Sequence, residues 1–268
     1  MVLQDDGFSG KSEMASVKYH GIFNYPLTKE EIKKWSVGKK GLIGIKKSRY
    51  ITKTNTDFKE RNFREKISEE KIKIAQKASG LLRKIPTVKG IFITGALAMK
   101  NADKNSDIDL MIITRKNLLW LTRPFVYLVL GIMNYGVRRP NDINQKDKFC
   151  LNIWLDELAL SCGKCDRNIY SAHEIAQVIP IVNKENIHQR FLQKNRWILD
   201  YWPNSVRIED TKDKIKGNVK INNLLERISF WIQYRYMKRK ITREKIDLHK
   251  AIFHPKDWGK EINELLSA

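Results

Sequence analysis

From Phe58 to Ile85 apolar residues return every three to four positions. Phe63, Ile67, Ile74, Ala78, Leu81 and Ile85 mark the stripe, which predicts one long, charged helix ended by Pro86. The period then changes. Gly90–Gly95 (GIFITG), Ile108–Thr114 and Phe149–Leu155 (FCLNIWL) are short apolar, β-branched runs and predict three strands. Between the second and third, Leu118 to Met133 reads LLWLTRPFVYLVLGIM, interrupted by Arg123 and Pro124. A transmembrane helix needs about 20 apolar residues without such breaks. The run therefore predicts a helix buried in or lying against the core, with attachment to a membrane surface as the lesser option and no transmembrane segment.

The flanks are different. Residues 1–14 are polar and acidic and read as a flexible tail rather than a secretory signal. Residues 15–57 read as a small module: a helix over Ser16–Tyr25, then a Thr28/Glu31 capping box opening a helix over Lys29–Trp35. A hairpin in the glycine-punctuated, β-branched stretch around IGIKKSRYIT follows. Helices followed by a basic hairpin resemble a winged-helix module. Residues 58–85 link it to a strand-bearing core at 86–160. Residues 161–268 predict a helical domain, with helices over Ser171–Val178, Lys184–Tyr201 and Val219–Lys240 separated by Pro180, Pro203 and a polar stretch.

Charge enlarges the set of partners. The chain has 268 residues, 51 Lys+Arg against 30 Asp+Glu, and a formal net charge of +21. Such an excess attracts phosphates, RNA or DNA. Lysines outnumber arginines, 35 to 16, which weakens a base-reading interpretation because Arg supplies the bidentate fork. In the C-terminal part, Trp197, Tyr201, Trp202, Trp231, Tyr234 and Tyr236 stand among the cations. At helical spacing they read first as core and second as base-stacking platforms. With 3 Cys and no secretory signal, a cytoplasmic protein with free thiols is expected.

Candidate chemistry concentrates in Gly90–Thr114, GIFITGALAMKNADKNSDIDLMIIT. A strand ends at Gly95, a short helix starts at once, and the next strand carries Asp107 and Asp109. Two carboxylates at i and i+2 on a strand share a face and repel unless a cation lies between them. Hard oxygen ligands of this kind suit Mg²⁺ or Mn²⁺. Gly95 permits a tight turn and close approach of backbone to a ligand.

Gly95-Ala96 followed by Ser106-Asp107-Ile108-Asp109, with Ile93, Leu110, Ile112 and Ile113 flanking, resembles the DNA polymerase beta-like nucleotidyltransferase superfamily. The resemblance implies an α+β fold with a small mixed sheet. It implies metal ligation by Asp107 and Asp109 and nucleotide contacts from Gly95, Ala96 and Ser106. The implied activity is transfer of a nucleoside monophosphate from a nucleoside triphosphate to a hydroxyl of a small molecule, a protein or RNA. Ala96 departs from the usual Gly or Ser. Asn152 stands where the third carboxylate of that family aligns, and an amide can ligate a metal through its oxygen but cannot act as a base. Asp142, Asp147 and Asp156 are the nearby substitutes. Lys100, Lys104 and Arg115 are the candidate triphosphate contacts. The competing expectation is a non-catalytic, basic nucleic-acid-binding protein with a degenerate core.

Cys162-Gly-Lys-Cys165 is half of a zinc motif that Cys150 and His173 could complete, with free thiols as the default reading. The other histidines, His20, His188, His249 and His254, show no metal-site spacing, and no P-loop pattern is present.

Overall fold

The computed structural model describes residues 10–45, 55–139, 142–210, 223–253 and 256–267. The chain is mixed α+β, with six strands in one mixed sheet ordered β4-β1-β2-β3-β6-β5. The central strands fall where the apolar runs predict: β1 is Val88–Ile93, β2 is Ile108–Thr114 and β3 is Phe149–Asp156. β1 and β2 are antiparallel, while β2 and β3 are parallel. A parallel pair needs a crossover, and α6, Leu119–Ile132, supplies it.

Both faces of the sheet are covered. Ile91, Ile93, Leu110, Ile112 and Trp154 point to one side, where α4 (Asn55–Leu82) and α6 pack. Phe92, Met111, Ile113 and Leu155 point to the other, where they meet a core built from both ends of the chain. That core includes α1 (Lys11–Gly21), Trp35 and Val37 just after α2 (Lys29–Lys34), and Leu42 of the short α3 (Lys39–Leu42). It also includes α7 (Ile169–Gln177), α8 (Ile187–Lys194) and α10 (Trp258–Ser267). Two-sided burial explains why the strands read as continuous apolar runs rather than as alternation.

The N-terminal module docks on α4 through Arg61. Its guanidinium grips Glu31 at 2.6 and 2.7 Å, bonds Glu65 at 2.9 Å and covers the Tyr25 ring. The Thr28/Glu31 capping box forms as predicted. The first helix opens at Lys11, so residues 11–14, expected as tail, are helical. The expected hairpin falls almost wholly on residues 46–54, outside the described residues.

Residues 161–268 are not purely helical. β4 (Ile179–Asn183) pairs with β1 at one edge, and β5 (Lys245–Ile246) and β6 (Lys250–Ile252) extend the other edge beyond β3. Pro180, expected as a helix breaker, lies on an edge strand, the sheet position that tolerates proline. The predicted helix over Lys184–Tyr201 is broken at Glu185 and Asn186, both with positive φ, and again at Asn195. The buried Asn195 side chain donates to the carbonyls of Leu160 and Phe191 and accepts from the Cys162 amide.

α9, Asn223–Met237, is seated on α6 by Glu226, Ser229 and Gln233, with Phe230 and Met237 packed beside them. Pro124 has no N–H to give the Trp120 carbonyl four residues back. Ser229 Oγ and Gln233 Nε2 donate to that carbonyl instead, at 2.8 and 2.7 Å. Glu226 accepts from the free amides of Trp120 and Leu121 at the start of α6, at 2.7 and 3.0 Å. The buried Arg123 donates to Gln233 and lies among the rings of Trp120, Tyr127, Trp154 and Phe253. Among the described residues no helix is long and apolar enough to cross a membrane.

Candidate functional site

Topology gathers one end of the sheet. The end of β1 lies beside the start of β2 because the pair is antiparallel, with the Thr94 amide donating to the Asp109 carbonyl at 3.1 Å. The start of β3 lies beside the same point because that pair is parallel, and Asp109 registers with Cys150. Gly95 turns the chain there with φ of 62° and opens the four-residue α5, Gly95–Ala98. A Cβ at position 95 would lie 2.8 Å from Asp109 Oδ2, so glycine is required by both conformation and space.

The loop leading to Asp107 is held from beneath by α4. The buried Lys71 ammonium donates to the Ser106 carbonyl at 2.9 Å and to Asp147 at 2.6 Å. Asp107 then meets Arg138, whose Nη1 lies 2.6 Å from its Oδ2. Asp109 Oδ1 accepts from Asn152 Nδ2 at 2.8 Å. Burial, reinforced by the neighbouring Asp107 charge, pushes the Asp109 carboxyl up to about 7. Carboxyl oxygens of Asp107 and Asp109 and the Cys150 sulfur lie within 4.8 Å of one another. Burial and the two carboxylates push the Cys150 thiol well above its ordinary range, which keeps it a neutral thiol rather than a thiolate ligand.

The opposing wall is α7, which the sequence did not mark as part of the site. Gln177 donates to the Gly95 carbonyl at 3.4 Å and to Glu174 at 2.6 Å. Burial raises the Glu174 carboxyl to about 8, and the charge of Asp109 adds to the effect. The available signal was the row of Tyr170, Glu174 and Gln177 at helical spacing on one face of the helix.

Two buried acceptors near the aspartates, Asn152 Oδ1 and Gln177 Oε1, have no hydrogen-bond donor among the described residues. A buried acceptor left without a partner is costly, and a cation or a ligand donor would satisfy it. The donor set offered to a metal is thus Asp107, Asp109 and the Asn152 oxygen. All three are hard ligands, and they fit Mg²⁺ or Mn²⁺ better than a thiophilic ion.

The other candidates fall elsewhere. Asp156 lies at the far end of β3, where it is buried and accepts from the amides of Asn117 and Leu158 and from the His249 ring at 2.8 Å. Asp142 pairs with Lys148 at 2.9 Å and Asp147 with Lys71 at 2.6 Å. Ser106 Oγ is spent on the Asp103 carbonyl at 2.8 Å. Arg115 follows β2 at the end opposite Asp109, its amide bonded to the Thr87 carbonyl, and the Lys104 ammonium lies over the Phe63 ring. Arg138, which no motif marked, is the cation that reaches the aspartates.

The zinc set does not assemble. Cys150 lies at the aspartate corner. His173 Nε2 is 3.1 Å from His20 Nε2, in a buried cluster with Tyr19, Trp35 and Trp202. Cys162 and Cys165 are free thiols.

No family model matches the chain, and no curated protein matches its sequence.

Proposed function

We propose that the Asp107–Asp109 corner is the metal-binding centre of a nucleotidyltransferase of the DNA polymerase beta-like kind. It would move a nucleoside monophosphate from a nucleoside triphosphate to a hydroxyl on an acceptor. The observation that carries this reading is the pairing of two carboxylates, Asp107 and Asp109, at the glycine turn. Asp109 is crowded against Asp107, and the Asn152 oxygen beside them lacks a donor. A divalent cation would offset the burial and the Asp107 repulsion that together raise the Asp109 pKa, and would polarise the phosphate and the attacking hydroxyl. Asp107 and Asp109 would hold the cation. Asn152 orients Asp109 and adds an uncharged oxygen. Gly95 keeps the backbone close enough for a phosphate to approach Asp109, and Arg138 is placed to meet that phosphate from the β3 side.

A second reading rests on the Arg138–Asp107 pair. That contact neutralises one of the two carboxylates internally, and Asn152 supplies no charge. A core silenced in this way, on a chain of net charge +21, fits a non-catalytic protein that binds RNA or DNA.

Calorimetric titration with ATP, CTP, GTP and UTP separates the two. The first reading expects binding of at least one nucleotide that requires Mg²⁺ or Mn²⁺ and is lost in Asp107→Ala/Asp109→Ala. Nucleotide binding that ignores both the metal and the double substitution supports the second.

A further inference from the structure

α9 buries a polar face, with Phe230 and Met237 packed at its margin, and leaves a broad apolar face outside. The polar side, Glu226, Ser229 and Gln233, is consumed by the backbone groups that Pro124 and the start of α6 leave unpaired. The apolar side therefore faces outward: Leu224, Leu225, Ile228, Trp231 and Ile232 are each 45–59% exposed. Five large apolar side chains on one helix face exceed the scattered exposure normal for a protein surface. α6 continues the pattern with exposed Phe125, Leu128 and Ile132. Phe125 and Ile132 also border a groove of about 700 Å³ between α6 and the end of α4, in which Lys84 is the one charged lining residue.

The exposed charges on α9 and the turn after it have one sign. Arg227, Arg235, Lys238 and Arg239 are exposed on α9 and the turn after it, and the Arg235 guanidinium lies over the Trp231 ring. Across α6, α9 and that turn the sole carboxylate is Glu226, which is buried against the Trp120 and Leu121 amides. We propose that this face docks on an anionic lipid surface. Leu, Ile and Trp side chains would enter the headgroup–acyl boundary while the arginines and lysines meet lipid phosphates. A second copy of the chain is disfavoured because pairing α9 with α9 would bring four cations per copy together with no exposed carboxylate between them. RNA is disfavoured because Leu224, Leu225, Ile228 and Ile232 offer it neither a stacking plane nor a hydrogen bond. The inference does not depend on the reading of the Asp107 corner.

Vesicle flotation of the full chain tests it, with phosphatidylcholine vesicles carrying or lacking phosphatidylglycerol. The full chain is expected to float with the anionic vesicles and not with the neutral ones. Trp231→Ser/Ile232→Ser, with an unchanged melting temperature, is expected to cut that partitioning at least roughly tenfold, from the apolar area lost. Arg235→Glu/Arg239→Glu is expected to weaken it and to blunt its salt dependence. Failure to bind anionic vesicles overturns the proposal. So does binding that survives Trp231→Ser/Ile232→Ser. A dimer, or an RNA complex, that this substitution dissolves while vesicle binding is absent also overturns it and names the other occupant.

Discussion

Gly95 and Asp109 compete for the same space: the hydrogen of Gly95 occupies a position from which a methyl group would stand 2.8 Å from Asp109 Oδ2. The turn must therefore be glycine for two separate reasons, its φ of 62° and this contact. Gly95→Ala is expected to destabilise the fold by about 1–2 kcal/mol through the left-handed backbone. By displacing Asp109 it is also expected to weaken divalent-ion binding by about tenfold. Chemical denaturation and Mn²⁺ titration on the same preparation check both effects. Loss of stability with unchanged Mn²⁺ affinity would separate the turn from the site.

Arg138 competes with any cation for Asp107. Removing its charge in Arg138→Gln is expected to raise the affinity for Mn²⁺ alone by about three- to tenfold, the scale of one unit charge a few ångströms away in a partly solvated site. The same substitution is expected to lower affinity for the metal–nucleotide complex, since it removes a phosphate contact. Mn²⁺ titration by electron paramagnetic resonance reads the first effect and calorimetry the second. A fall in affinity for Mn²⁺ alone would show that Arg138 shapes the metal site rather than opposing it.

The buried histidine pair makes a pH prediction. His20 Nδ1–H donates to the Ser16 carbonyl at 2.9 Å, so in the neutral pair His173 Nε2–H donates to His20 Nε2. Burial lowers the His20 pKa to about 4 and that of His173 well below its ordinary value. The unfolded chain, with histidines near 6.5, takes up these protons first as pH falls. The stability contributed by the pair is complete above pH 6.5 and is lost as pH drops toward about 4, by up to about 1.4 kcal/mol per pH unit for each histidine. The difference in unfolding free energy between the wild type and His20→Gln/His173→Gln is therefore expected to shrink over that window. A difference independent of pH would contradict the neutral pair.

Much of the sheet was legible because strands buried on both faces read as apolar runs. β1, β2 and β3 fall within two residues of their predicted bounds, and the Thr28/Glu31 cap formed as spelled. The edge strands were not legible for local reasons. β4 carries Pro180, and β5 and β6 are two and three residues long, joined by a turn in which Asp247 accepts from the amides of His249 and Lys250. At the site, Asp109 and Asn152 could be read together because they sit on adjacent strands, with Asp107 directly before β2. Arg138, Glu174 and Gln177 could not, since loop geometry and the packing of α7 bring them in across long stretches of sequence. Trp231 and Tyr236 defeated the periodicity argument most directly. Their helix turns Ser229 and Gln233 inward, beside Phe230 and Met237, to a carbonyl that a proline on its neighbour left to satisfy.

The central claim is that the Asp107–Asp109 corner transfers nucleotides. The direct measurement is transfer of label from α-labelled ATP, CTP, GTP and UTP, with Mg²⁺ or Mn²⁺, to bulk tRNA, to cell lysate and to the protein itself. Label that enters one acceptor class and disappears in Asp107→Ala/Asp109→Ala is the predicted result. Absence of label on every acceptor, together with absence of metal-dependent nucleotide binding, would contradict the account and leave the Arg138-neutralised, non-catalytic core as the reading that stands.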